Sequence, residues 1–91
     1  MAERRTSYEI YWEILVLCRT PRSFTAIIGR CDLNSKTGQE YLAFLVGRGL
    51  LAVEKNGEKV TYRATERAAE YTALFTRLYQ GLFDKGPAFR V

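Results

Sequence analysis

The stretch from Arg22 to Leu51 constrains this chain most, because its punctuation divides it into two short helices and a turn. Ser23 stands before the apolar run from Phe24 to Cys31, where its hydroxyl can accept an orphaned backbone N–H of a first helical turn. Asp32-Leu33-Asn34 then breaks the pattern, since Asp and Asn side chains favour turns and Leu33 between them supplies an apolar plug. Asn34 caps a second helix that runs to about Val46 and stops at Gly47-Arg48-Gly49. The expectation is a helix-turn-helix over residues 23–47.

On the second helix, Thr37, Gly38, Tyr41, Leu42 and Leu45 follow the three-and-four spacing of a buried stripe. The opposite stripe holds Lys36, Gln39 and Ala43, with Ser35 and Glu40 at its edges. Near the N-terminal end of such a helix a lysine can reach guanine O6 and N7 in a major groove, and a glutamine can reach adenine N6 and N7. A solvated polar face is an equally open reading of the same residues. Glu40 works against phosphate contact at its own position.

A chain of 91 residues is expected to form one domain over 1–91. Its 47% apolar and 26% charged residues exclude an intrinsically disordered class, and the formal charge of +4 is a mild lean toward polyanions. No apolar run approaches the roughly 20 residues that span a bilayer, and Met1-Ala2-Glu3-Arg4-Arg5-Thr6 is too polar for a signal peptide. A cytoplasmic protein without a membrane partner is the expectation. The chain has no histidine, no glycine-rich phosphate loop and no convincing pair of carboxylates, so neither an enzyme nor a cofactor or metal site is expected. Cys18 and Cys31 lack ligand-like spacing and read as buried thiols.

Upstream, Thr6 and Glu9 form a capping-box pattern that opens a first helix over 6–19, apolar around most of its circumference and interrupted by Glu9 and Glu13. Arg19-Thr20-Pro21 ends it. Arg22, beside the next cap, reads either as a phosphate contact or as a solvated linker arginine. Downstream, Asn56-Gly57 is a strong hairpin signal within residues 50–63. Counting outward from that dipeptide opposes Val53 with Val60, Leu51 with Tyr62, and Glu54 with Lys59. Lys55, Asn56 and Lys59 at the tip then face either a nucleic-acid backbone or minor groove, or, for Lys59, its cross-strand partner Glu54. Thr65 caps a last helix over 65–84 that closes at Lys85-Gly86-Pro87. Leu74, Tyr79 and Phe83 lie beside its seam of Ala68, Tyr71, Phe75, Leu78 and Leu82 and widen it beyond what a small domain can cover, which points to helix pairing between two copies of the chain. The competing reading folds that helix back on the first one.

Several of these residues together resemble a known family. Thr25 and Ile27, Asp32-Leu33-Asn34, Tyr41-Leu42 with Leu45, Gly49-Leu50-Leu51, and Tyr62-Arg63-Ala64-Thr65-Glu66-Arg67 resemble the small archaeal winged helix-turn-helix DNA-binding regulators. That group includes the dimeric chromatin-type winged-helix proteins of archaea. The likeness spans about residues 8–83. It implies an α+β, mostly helical fold: a winged helix-turn-helix with a two-stranded wing and a long C-terminal helix that pairs with its mate as an antiparallel coiled coil. Ala26, where such motifs usually carry a basic residue, and Ala68, where a glycine is usual, depart from the pattern.

The function expected is a homodimeric transcriptional regulator on double-stranded DNA. Ser35, Lys36 and Gln39 would lie nearest the bases, with Arg22, Thr25, Arg48 and the wing residues Lys55, Asn56 and Lys59 on phosphates. The alternative is a winged-helix protein-interaction module that binds no DNA, which the interleaved acidic residues and the apolar last helix would suit.

Overall fold

In the computed structural model, which describes residues 6–83, the elements run α1 (Ser7–Leu17), β1 (Arg22–Ser23), α2 (Phe24–Arg30), α3 (Ser35–Gly47), β2 (Leu51–Asn56), β3 (Lys59–Ala64) and α4 (Glu66–Phe83). Polar side chains set where the helices begin. The Glu9 N–H donates to Thr6 Oγ1 (3.1 Å) while the Thr6 N–H donates to Glu9 Oε1 (2.7 Å), which closes the capping box. Ser23 Oγ accepts from the Ala26 N–H at 3.2 Å, and Asn34 Oδ1 accepts from the Thr37 N–H at 2.8 Å. Residues 84–91, and with them the expected stop at Lys85-Gly86-Pro87, lie outside the described residues.

Two helices end in the same way. After α2, Asp32 takes a left-handed φ of 58° and the Leu33 N–H donates to the Ile28 carbonyl at 2.9 Å. After α3, Gly49 (φ 76°) occupies the equivalent position and the Leu50 N–H donates to the Leu45 carbonyl at 2.9 Å. Both are Schellman-type ends, which turn the chain sharply and bring the next apolar residue back against the helix.

The sheet has three strands in the order β1-β3-β2, all antiparallel, rather than the two expected. Arg22 and Ser23 pair with Tyr62 and Thr61, tying the start of α2 to the wing. The wing register also differs from the one expected from the Asn56-Gly57 dipeptide. Val53 opposes Tyr62, Leu51 opposes Ala64, Glu54 opposes Thr61, and Asn56 opposes Lys59. Asn56 stays in its strand, and the turn is centred on Gly57-Glu58 with positive φ at Gly57 (67°) but not at Glu58. That is the type II′ pattern, with glycine first, rather than type I′. Moving the turn by one position changes each cross-strand partner by two residues and so keeps the faces: Leu51, Val53, Val60 and Tyr62 still share one side.

The core lies where α1, α2, α3 and the base of the sheet meet, around fully buried Ile14, Ile27 and Leu45 with Cys18 and Cys31 between them. The Ala64 N–H donates to the Cys18 carbonyl at 2.7 Å and joins the end of α1 to β3. Helix α4 packs back on α1: Trp12 Nε1 donates to Thr76 Oγ1 at 3.2 Å, and the Trp12 ring stacks on Phe75 with centroids 6.1 Å apart. Glu13, expected to interrupt the apolar face of α1, is instead fully buried. Ala68 is fully buried in this same core, which removes it from the seam expected on the outside of α4. Leu74, a residue that sequence spacing left beside the seam, is exposed in its place.

Candidate nucleic-acid interface

Helix α3 divides cleanly. Gly38, Leu42 and Leu45 are buried, and Ser35, Lys36, Gln39, Glu40 and Ala43 are all exposed. The division has a physical cause at Gly38, where the helix crosses α2: a Cβ there would run into Ile28 Cγ2, with the Phe24 ring next nearest at 3.4 Å. Only a residue without a side chain lets the two helices approach so closely, and this close approach sets how far α3 projects from the body.

Beside α3 stands the wing. Its tip residues Lys55, Asn56 and Lys59 are exposed. Glu54 pairs with Arg63 (3.5 Å) and not with Lys59, which the observed register places opposite Asn56. The expected internal partner of Lys59 is thereby reassigned. Between α3 and the sheet runs a groove of about 390 Å³ bordered by Gln39, Ala43, Val46, Val53 and Tyr62.

The remaining residues expected to touch DNA are more scattered. Thr25 is exposed at the start of α2, beside the Ser23 cap. Arg22 is half-buried and its Nε donates to the Leu17 carbonyl at 3.3 Å, so part of the guanidinium closes the junction between α1 and β1. Arg48 is exposed but lies over the Phe44 ring, 5.4 Å from its centroid, and Phe44 in turn stacks on Tyr11 of α1 at 5.1 Å. It therefore occupies the α1 flank of α3, away from the flank that Gln39 and Ala43 turn to the wing.

A second surface is apolar and runs along α4 and α1. Along α4, Tyr71, Leu74, Leu78 and Leu82 are exposed, the last two by 61% and 66%. With Tyr8 and Tyr11 of α1, residues Tyr71, Leu74 and Leu78 border an apolar groove of about 330 Å³. Cys18 and Cys31 are both buried and in no disulfide, and burial first, then the neighbouring Cys31, pushes the Cys18 thiol up to about 12. Among the described residues there is no cluster of His, Cys, Asp or Glu fit to hold a metal ion, and no helix long and apolar enough to cross a membrane.

A helix-turn-helix followed at once by an antiparallel wing, with a further helix packed behind it, defines the fold of winged-helix DNA-binding transcriptional regulators. A family model described as winged helix-turn-helix matches residues 4–80, and the chain belongs to that family. Among solved structures, Sso10a-2, a DNA-binding protein from Sulfolobus solfataricus, is similar at 25% identity and a TM-score of 0.73, covering 88% of this chain and 87% of that one. A homodimeric winged helix-turn-helix DNA-binding domain from Mycobacterium bovis, a possible ArsR-family regulator, is similar at 26% identity and a TM-score of 0.69, covering 80% and 70%. The transcriptional regulator BldR from Sulfolobus solfataricus shares the fold at 15% identity and a TM-score of 0.74, covering 82% and 57%. Among curated protein sequences, none matches.

Proposed function

We propose that this chain is a transcriptional regulator that binds double-stranded DNA as a homodimer, with α3 in the major groove. The observation that carries this reading is the exposed row Ser35, Lys36, Gln39 and Ala43, whose opposite face is anchored in the core and whose neighbour is an exposed wing tip bearing Lys55, Asn56 and Lys59. In this arrangement Lys36 and Gln39 meet base edges, and Ser35 sits at the mouth of the groove. Thr25 and the wing-tip residues meet phosphates, while Arg22 and Arg48 stand at the margins.

The exposed apolar row on α4 supports pairing of two copies, because Tyr71, Leu74, Leu78 and Leu82 would otherwise face water together. A two-fold axis there would present two α3 helices to half-sites about 34 Å apart or a multiple of it. The homodimeric state of the similar Mycobacterium bovis domain points the same way.

Lys36→Ala combined with Gln39→Ala tests the reading. Discrimination between a selected site and a scrambled one should fall by about 1 to 3 kcal/mol for each side chain that reads a base, with the circular dichroism spectrum unchanged. Unchanged discrimination would remove these residues from base reading. Glu40, Glu54 and Glu58, interleaved with the basic residues on this face, favour a second reading, a protein-interaction module. That reading requires no duplex binding even at low salt.

A further inference from the structure

We propose that Ala43 is a specificity-determining residue that seats the 5-methyl group of thymine, and that with Gln39 it gives α3 a preference for A·T base pairs. The inference deepens the DNA-binding reading and rests on it.

Along its exposed row α3 changes character. Lys36 and Gln39 lie in its N-terminal half, but one turn further on the row continues with Ala43 and then Gly47, where an added Cβ would meet nothing within 4 Å. The surface beside these small residues is apolar. Ala43 and Gln39 border the groove that Val46, Val53 and Tyr62 complete, and Val53 and Val60 on the same face of the wing are 43% and 39% exposed.

None of the residues that line this groove is charged, so a phosphate seated in it would lose its hydration without gaining a partner there, which is unfavourable. In the major groove the thymine methyl is the apolar group that a base edge presents, and small apolar side chains such as alanine pack on it. Gln39 lies four residues before Ala43, and side chains so spaced on a helix are about 5–6 Å apart. That separation is close to one or two base steps at about 3.4 Å each. An amide that pairs with adenine N6 and N7 and a methyl that packs on thymine can therefore act on neighbouring A·T pairs.

The probes are three alternating copolymer duplexes, dA–dT, dA–dU and dG–dC, titrated at low salt by competition for a labelled mixed-sequence duplex. Uracil keeps every hydrogen-bonding group of thymine and lacks only the methyl. Wild type should bind dA–dT about three- to tenfold more tightly than dA–dU. Ala43→Ser, a small polar change at an exposed helical position, should bring that ratio to about one, and Gln39→Ala should lower the preference for dA–dU over dG–dC. Equal binding of dA–dT and dA–dU by wild type would overturn methyl recognition while leaving DNA binding intact. A ratio that persists in Ala43→Ser would overturn the assignment to that residue. Failure to bind any duplex would overturn the DNA-binding reading itself.

Discussion

Gly38 shows how one residue can set the presentation of a whole surface. It lies where α3 crosses α2, against the branched methyl of Ile28, which is held close to its own backbone and has no free end to swing away. Gly38→Ala should therefore lose stability by about 1 to 3 kcal/mol despite alanine's better helix propensity. Urea unfolding measures it, and a stabilised variant would contradict the packing. Cys18 makes a different residue-scale prediction. Its thiol, ordinarily near 9.0, is raised to about 12 in the folded protein, by burial first and the adjacent Cys31 second, with Arg22 opposing. Between those values the unfolded chain gives up a proton that the folded one keeps, so stability is complete below about pH 9 and falls as pH rises. The expected loss approaches about 1.4 kcal/mol per pH unit in that window. Cys18→Ala should flatten the corresponding part of the stability profile; an equal slope in both proteins would contradict it.

At the scale of elements, the helix boundaries were written in single residues, and the strand pairings were not. Ser23, Asn34 and Thr6 each cap a helix through a hydrogen bond that depends on local geometry alone, so their meaning could be read directly from the order of residues. The exposed row of α3 was legible for the same reason, since helical period translates spacing into faces. The wing was only half legible. Asn56-Gly57 announces a hairpin, but whether the turn centres on Asn56-Gly57 or Gly57-Glu58 is decided by the whole ladder, and Glu54 accordingly pairs with Arg63 instead of Lys59. A two-residue strand such as β1 has no period to detect, and the burial of Ala68 follows from where α4 meets β3 and α1. Helix α4 offers its own test of pairing between copies. Leu74→Glu with Leu78→Glu, both at exposed positions, should leave the fold intact while converting a dimer into a monomer of 10.5 kDa in sedimentation. A dimer that survives both charges would place the interface elsewhere.

At the scale of the whole molecule, the proposed function assigns a separate task to each of two surfaces. Helix α3 and the wing expose Lys36, Lys55 and Lys59 among Glu40 and Glu58, while α4 and the start of α1 expose apolar and aromatic residues. The chain measures 44 × 33 × 19 Å, and under the proposed pairing through α4 two copies would span more than the roughly 34 Å of one duplex turn. Phosphate gripping by α3 and the wing is tested most directly by fluorescence anisotropy of a labelled mixed-sequence duplex titrated at several salt concentrations. Lys55 and Lys59 on phosphates would each displace counterions, giving a log–log slope of roughly −2 for one copy and about twice that for a dimer with both halves engaged. Affinity that falls along such a slope is the predicted result. No binding at low salt, or binding that ignores salt, would contradict phosphate gripping and leave the apolar face of α4 as the place to seek a protein partner.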